Sequence, residues 1–284
     1  MMRGLAEFIM RGRWQALLVA VSGSVFVLAA PLSAAAIALV TLARGLQEGA
    51  WVALWSLLPA LLIGWMSGDY GTGLLLLGGF LGAAILAQTF SLSLALVGIG
   101  VISALGGLAL LVFNSVFLEA LLTVFDALIE SLAESGSESG VANLTRPSLT
   151  QVAGLMAVGN ALLACLSLLL GRHWQAALYK PGAFGEEFRA LRLPMGWAVL
   201  LVVVTVAGGV SGGDLAAWTA LAGVPVTICG FALLHHVARA RQLGGTLLTV
   251  GYVVWVLVDI AKIGLLLAVL LDAFFDVGRR AKGA

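Results

Sequence analysis

The chain has 284 residues, of which 61% are hydrophobic and 10% charged, and its mean hydropathy is +1.10. A soluble domain runs nearer about 45–50% apolar and about 25% charged, so this much apolar surface cannot be hidden in one aqueous core. A net charge of +1, without a basic tract or a basic and aromatic patch, excludes nucleic acid as a partner.

Backbone polar groups in lipid must be satisfied within the span, which leaves helices or a closed barrel. The apolar runs here are long and continuous rather than alternating, which excludes the barrel. The expected fold class is therefore all-α, a polytopic transmembrane helical bundle in contact with the lipid bilayer. The 36 glycines fit the close helix packing common in membranes.

Taken in chain order, Arg3, Arg11 and Arg13 precede an apolar stretch ending at Ala30, followed by Pro31 and small residues. This start has features of a cleaved signal peptide. The apolar character resumes at Ala34, which favours a retained span behind a short interfacial helix bearing Phe8 and Trp14. The uncharged runs are 14–43, 49–68, 71–114, 151–171, 194–213, 215–238 and 243–258, the last continuing through 263–271. One crossing takes about 20 residues. The run 71–114 is thus two spans, with a break near Gln88, Thr89, Phe90 and Ser91. The run 14–43 is about 45 Å long as straight helix, and Pro31 predicts a kinked or hairpin-like pair of short helices. Eight or nine membrane segments are expected in all.

Residues 115–135 differ from the rest. Glu119, Asp126, Glu130 and Glu134 recur near helical spacing among Phe117, Leu121, Leu122, Phe125, Leu128 and Ile129, the pattern of an amphipathic helix lying at the interface. A Ser-, Gly- and Asn-rich linker follows over 136–146. The chain is thus a single membrane domain, 1–284, with N-terminal helices in 1–114, the acidic helix and linker in 115–146, and C-terminal helices in 147–284.

The placement of Lys and Arg sets orientation. Arg44, Arg172, Lys180, Arg189, Arg192, Arg239 and Arg241 fall on one side, which the rule makes cytoplasmic, with Arg146 on the other. The sides of the two termini stay open. A re-entrant final segment brings the C-terminus, with Arg279, Arg280 and Lys282, to the inside.

Asp259 and Lys262 lie within apolar sequence, VWVLVDIAKIGLLL. Charges at such depth are costly and point by default to function, and their i, i+3 spacing puts both on one helix face. They read either as a mutually neutralised pair that fixes packing or as the lining of a polar ligand path. His235 and His236 stand at the inner end of a run, as interfacial residues or pH sensors. His173 beside Trp174 reads as an interface anchor. Asn160, Gln88 and Tyr252 are polar groups in or beside spans, suited to interhelical hydrogen bonds or to a ligand. Cys165 and Cys229 read as small core residues, and whether they meet is open. Three histidines without clustered carboxylates or cysteines form no zinc constellation. No P-loop, GxSxG or HExxH motif occurs. No catalytic residue, metal or cofactor is expected, and the chain is not expected to be an enzyme.

Four stretches carry a family resemblance: TLARGLQEG at 41–49, GEEFRALRLP at 185–194, GFALLHHVARAR at 230–241 and GLLLAVLLDAFFDVGRR at 264–280. The chain resembles the YybS-like family of bacterial inner-membrane proteins of unknown function over nearly its whole length. The most specific parts are Phe188, Arg192, Leu193 and Pro194, and then Leu271, Asp272 and Phe274 with the basic residues from Arg279. Leu271 stands where Gly often precedes the Asp in that family. The family is grouped distantly with the substrate-binding S components of energy-coupling-factor transporters. The resemblance thus implies a bacterial inner-membrane location and small-molecule capture in a helical bundle, and it brings no catalytic residues.

Two roles are expected from these readings. The first is transport-related binding of a small molecule, with Asp259, Lys262, Tyr252, Asn160 and His235 as ligand-binding residues. The second is a structural or accessory role against other membrane proteins, through Gly-rich faces such as Gly64/Gly68 and Gly78/Gly82 and through the acidic helix.

Overall fold

The computed structural model describes residues 2–134, 145–242 and 245–275. Among them there are helices and no strand. In chain order the helices are α1 (Met2–Arg11), α2 (Arg13–Val25), α3 (Ala30–Arg44), α4 (Leu46–Ser67), α5 (Gly71–Thr89), α6 (Leu92–Phe113), α7 (Ser115–Glu134), α8 (Leu149–Tyr179), α9 (Ala183–Arg189), α10 (Met195–Ser211), α11 (Gly213–Ala240), α12 (Gly245–Leu257) and α13 (Asp259–Phe275). A 3-10 turn, Val27–Ala29, joins α2 to α3.

Local sequence explains the boundaries. Ser148 and Gln151 form a reciprocal capping box that starts α8, and the Ser91 side chain accepts from Leu94 N to start α6. The break expected near 88–91 lies between α5 and α6, where Phe90 adopts a left-handed conformation. Pro31 falls in the first turn of α3, where its missing N–H costs no hydrogen bond. The chain instead turns just before it, through Phe26 and the 3-10 turn. The Ser33 hydroxyl donates to the Ala20 carbonyl, so α2 and α3 fold back on each other as the hairpin expected for this run.

Helix α3 is the centre of one half of the bundle, packed among α2, α4, α5 and α8. Every side chain from Ala34 to Leu39 is fully buried. Four of these six residues are alanine, and such small side chains let neighbouring backbones approach. The approach is close at Gly171 of α8, where a Cβ would stand 2.8 Å from the Ala35 carbonyl oxygen and 2.9 Å from the Ala38 Cβ. The other half is built on α11, which packs against α10, α12 and α13, while α6 and α8 join the two halves.

Six segments are long and apolar enough to cross a membrane: Val27–Arg44, α4, α5, α6, α8 and α11. The pair α12–α13 bends through 118°, and counting it as one span makes seven. The eight or nine segments expected from the sequence thus stand at six or seven. The difference lies in α2, with 13 residues, in α10, with 17, and in the bend that divides the last run.

The two ends of the bundle differ in charge. At one end Arg13 donates to Glu48 with Nε–Oε2 2.9 Å, Arg44 reaches the Met10 carbonyl, Gln175 the Leu42 carbonyl, and Arg172 pairs with Glu187 at 2.8 Å. At the other, Asn114 Nδ2 donates to the Gly68 carbonyl, Ser148 to Asp214, and Arg146 pairs with Asp126. The basic residues that the sequence places on one side therefore gather at one end. Helix α7 lies at the opposite end against α6 and α8. It buries Leu118 and Leu122, one turn apart, and leaves Glu119, Asp126 and Glu130 exposed. This is the amphipathic helix expected for 115–135. The linker after it falls outside the described residues up to Asn143 and Leu144, as do Arg279, Arg280 and Lys282.

Gly171→Val forces branched carbons against the α3 backbone. Overpacking of this kind costs about 1–3 kcal/mol, so the melting temperature of the purified protein in detergent is expected to fall by several degrees. An unchanged melting temperature would contradict the close α3–α8 approach.

Candidate functional site

The segment 185–194 turns the chain from α9 into α10 at the basic end. Its apolar side chains anchor it: Leu191 and Leu193 are buried in the core, and Phe188 stacks on Phe184 with centroids 6.0 Å apart. A run of ring contacts continues from there. Phe188 meets His235 edge-on at 5.5 Å, and His235 Nε2 lies 2.9 Å from the Tyr252 hydroxyl. Tyr252 in turn packs on Phe231 at 4.5 Å, and Phe231 on Trp255 at 5.2 Å. These contacts tie α9, α11 and α12 together, each ring pair beyond its buried area contributing about 0.5–1.5 kcal/mol.

Arg192 completes the junction. Its Nε donates to Asp272 Oδ2 at 2.7 Å, and a second guanidinium nitrogen donates to the Asp272 backbone carbonyl. The Asp272 side chain is 8% exposed and that of Arg192 26%. Two donors from one fork fix both position and angle. The bond joins residues 80 positions apart and holds the last turn of α13 to the basic end. Gly245, the first residue of α12, lines a cavity at that same end with Arg189 and Arg239. Both ends of the bent pair therefore return to one side of the bundle. The α12–α13 pair is thus a sharply bent helical hairpin with its apex at Val258.

Three adjoining cavities open here. The first, about 750 Å³, is lined by Glu186, Arg189, Arg192, His236, Arg239 and Asp272 with Leu191 and Leu233. The second, about 670 Å³, includes Arg189, His235, Arg239 and Leu248, and the third, about 520 Å³, includes Arg3, His173, Phe184, Arg189 and Arg239. His236 Nε2 is buried without a hydrogen-bond partner among the described residues.

The five residues expected to bind ligand do not form one site. His235 and Tyr252 are hydrogen-bonded to each other, and His235 lines the second cavity. Asn160 lies elsewhere, toward the opposite end, where its Nδ2 donates to the Gly71 carbonyl at 2.9 Å and its Oδ1 is buried without a partner among the described residues. Asp259 and Lys262 do pair, at 2.7 Å, but on the outside of the bundle, with side chains 95% and 47% exposed. The buried pair expected from the sequence is therefore corrected. The helix breaks at Val258, so Asp259 is the first residue of α13, where a carboxylate faces unsatisfied N–H groups and the positive end of the helix dipole. Cys165 and Cys229 are both buried and free.

The residues that do converge are Arg189, Arg192, Arg239, His236 and Asp272. Their signals were present in part: all five lie in stretches quoted for the resemblance, Arg192 and Asp272 in its most specific parts. Arg189 and Arg239 otherwise mark orientation, and His236 reads as an interfacial residue or pH sensor. No group of three or more His, Cys, Asp or Glu that could hold a metal occurs among the described residues. Comparison with family models, with curated proteins and with solved structures finds no match.

Asp272→Ala removes the carboxylate that holds Arg192 and is expected to destabilise the protein by about 3–5 kcal/mol, as for other broken partly buried pairs. Asp259→Ala, at an exposed position, is expected to leave the melting temperature unchanged. Thermal unfolding in detergent checks both, and equal effects of the two variants would overturn the distinction.

Proposed function

We propose that this chain is a multi-pass protein of a bacterial inner membrane that captures a small solute at its basic, cytoplasmic end, in a transport-related role. The observation that carries this reading is the convergence of three cavities on Arg189 and Arg239. The largest has a volume of about 750 Å³, within the range of about 300–1,000 Å³ typical of small-molecule sites, and ionisable side chains outnumber its apolar lining of Leu191, Leu233 and two alanines. The positive-inside rule supports the sidedness. Of the candidate spans, α4, α5, α6, α8 and α11 run between the two ends, and the 17-residue α10 joins Arg192 at the basic end to Asp214 at the other. The α2–α3 pair, which holds Val27–Arg44, and the α12–α13 pair both return to the basic end.

Labelling of single added cysteines in intact cells tests this topology, because Cys165 and Cys229 are buried. Asp69→Cys is expected to react with an impermeant thiol reagent, and Arg241→Cys only after the membrane is opened. The reverse pattern would refute the orientation.

Binding is tested by screening the purified protein in detergent against vitamins and other small metabolites. At least one saturable thermal shift is expected, abolished by Leu233→Trp, which fills the first cavity. No shift, together with no co-purifying small molecule, would count against solute capture.

A second reading, an accessory role, draws support from the exposed Asp259–Lys262 pair, which lies among exposed Val256, Leu257, Ile260 and Ile263. Charges on such a face are costly against lipid and are better satisfied by polar groups of a neighbouring membrane protein. A stoichiometric partner lost on Asp259→Ala, in place of any solute response, would favour this reading.

A further inference from the structure

Arg189 and Arg239 line all three cavities at the basic end. They come from different elements, one from the last turn of α9 and the other from the last turn of α11, so the cavities meet around these two arginines. Four other arginines at this end are engaged: Arg3 by Glu7, Arg13 by Glu48, Arg172 by Glu187 and Arg192 by Asp272. Among the described residues, Arg189 and Arg239 make no such ion pair. No acidic residue lines the second or third cavity. In the first, Asp272 is held by Arg192, which leaves Glu186 as the remaining carboxylate.

Two arginines from separate helices that line the same cavities, with little compensating negative charge, attract an oxyanion. A planar carboxylate is matched by one guanidinium fork, whereas a tetrahedral phosphate presents oxygens in several directions and suits two. His236, with its buried and unpartnered Nε2, lines the first cavity beside Arg239. Leu191, Leu233 and Leu248 supply apolar wall for the rest of a ligand.

We infer that the basic end is a phosphate site, with Arg189 and Arg239 clamping the phosphate group of either a phosphorylated solute or a phospholipid headgroup. The inference deepens the solute-capture reading and rests on it for the cavity. Phosphorylated solutes reach this end from the aqueous side, and headgroups lie at the same level as the helix ends, so both carry the same chemistry to the same two arginines.

The test uses the full chain. Inorganic phosphate is titrated against the detergent-purified protein by thermal shift and calorimetry. In parallel, lipid retention is read by native mass spectrometry after reconstitution in phosphatidylcholine vesicles with and without phosphatidylglycerol. Wild type is expected to bind inorganic phosphate saturably if the ligand is a solute, or to retain phosphatidylglycerol selectively if it is a headgroup. Either signal is expected to weaken about tenfold or more in the Arg189→Gln/Arg239→Gln double variant. Arg241→Gln, which removes an exposed charge at the same end and lines none of the three cavities, is expected to bind as wild type does. A melting temperature of the double variant close to wild type in ligand-free buffer shows that the loss is one of binding. Absence of both signals, or equal binding by the double variant, overturns the phosphate assignment. A Leu233-dependent response to an uncharged solute in that case leaves solute capture standing, whereas no response to any probe removes both.

Discussion

The bond between Arg192 and Asp272 determines how the C-terminal part of the bundle is arranged. It ties the last turn of α13 to the α9–α10 turn and, with the packing of α13 on α10 and α11, brings the bent hairpin back to the basic end. With it, a loop anchored by Leu191 and Leu193, an aromatic run from Phe184 to Trp255 and the end of α13 close around one set of cavities. The carboxylate and guanidinium lie at the edge of an apolar bundle, where a lone charge is expensive and a two-donor pair is tolerated. That constraint leaves Arg192 committed to structure and Arg189 and Arg239 available to a ligand.

The other half of the bundle follows a different logic. Lipid is as apolar as leucine, so burying α3 gives no hydrophobic gain over leaving it in lipid, and close packing must hold it. Alanines on α3 and Gly171 on α8 provide that contact. The two halves thus contrast: one is held by the shape of small side chains, the other by an ion pair and rings near the aqueous boundary.

The sequence made much of this fold legible wherever chemistry was local. Ser91 and Ser148 mark helix starts, and the acidic spacing from Glu119 to Glu134 marks an amphipathic helix. The excess of arginine on one side foreshadows the basic end. What was not legible depends on position in space. Asp259 looked buried because its neighbours are apolar, but nothing local shows that the helix breaks one residue before it and turns it outward. Arg192 and Asp272 are 80 residues apart, and neither carries a periodic signal that names the other. His235 and Tyr252 were both singled out and do meet, while Asn160, chosen on the same grounds, serves a backbone carbonyl at the other end.

The burial of α3 also bears on the order in which the protein is assembled. This helix leaves the ribosome early, yet most of its surface is covered by α5 and α8, which are made later. Until they arrive, the α2–α3 hairpin can rest in the bilayer on the strength of its own Ser33–Ala20 contact and its apolar surface, but its alanine face has no partner. The N-terminal segment is thus held in an unfinished state while more than a third of the chain, from the end of α3 to α8, is synthesised. The nascent protein is most open to mispairing, or to a membrane chaperone that shields small-residue faces, during the interval between insertion of α3 and insertion of α8.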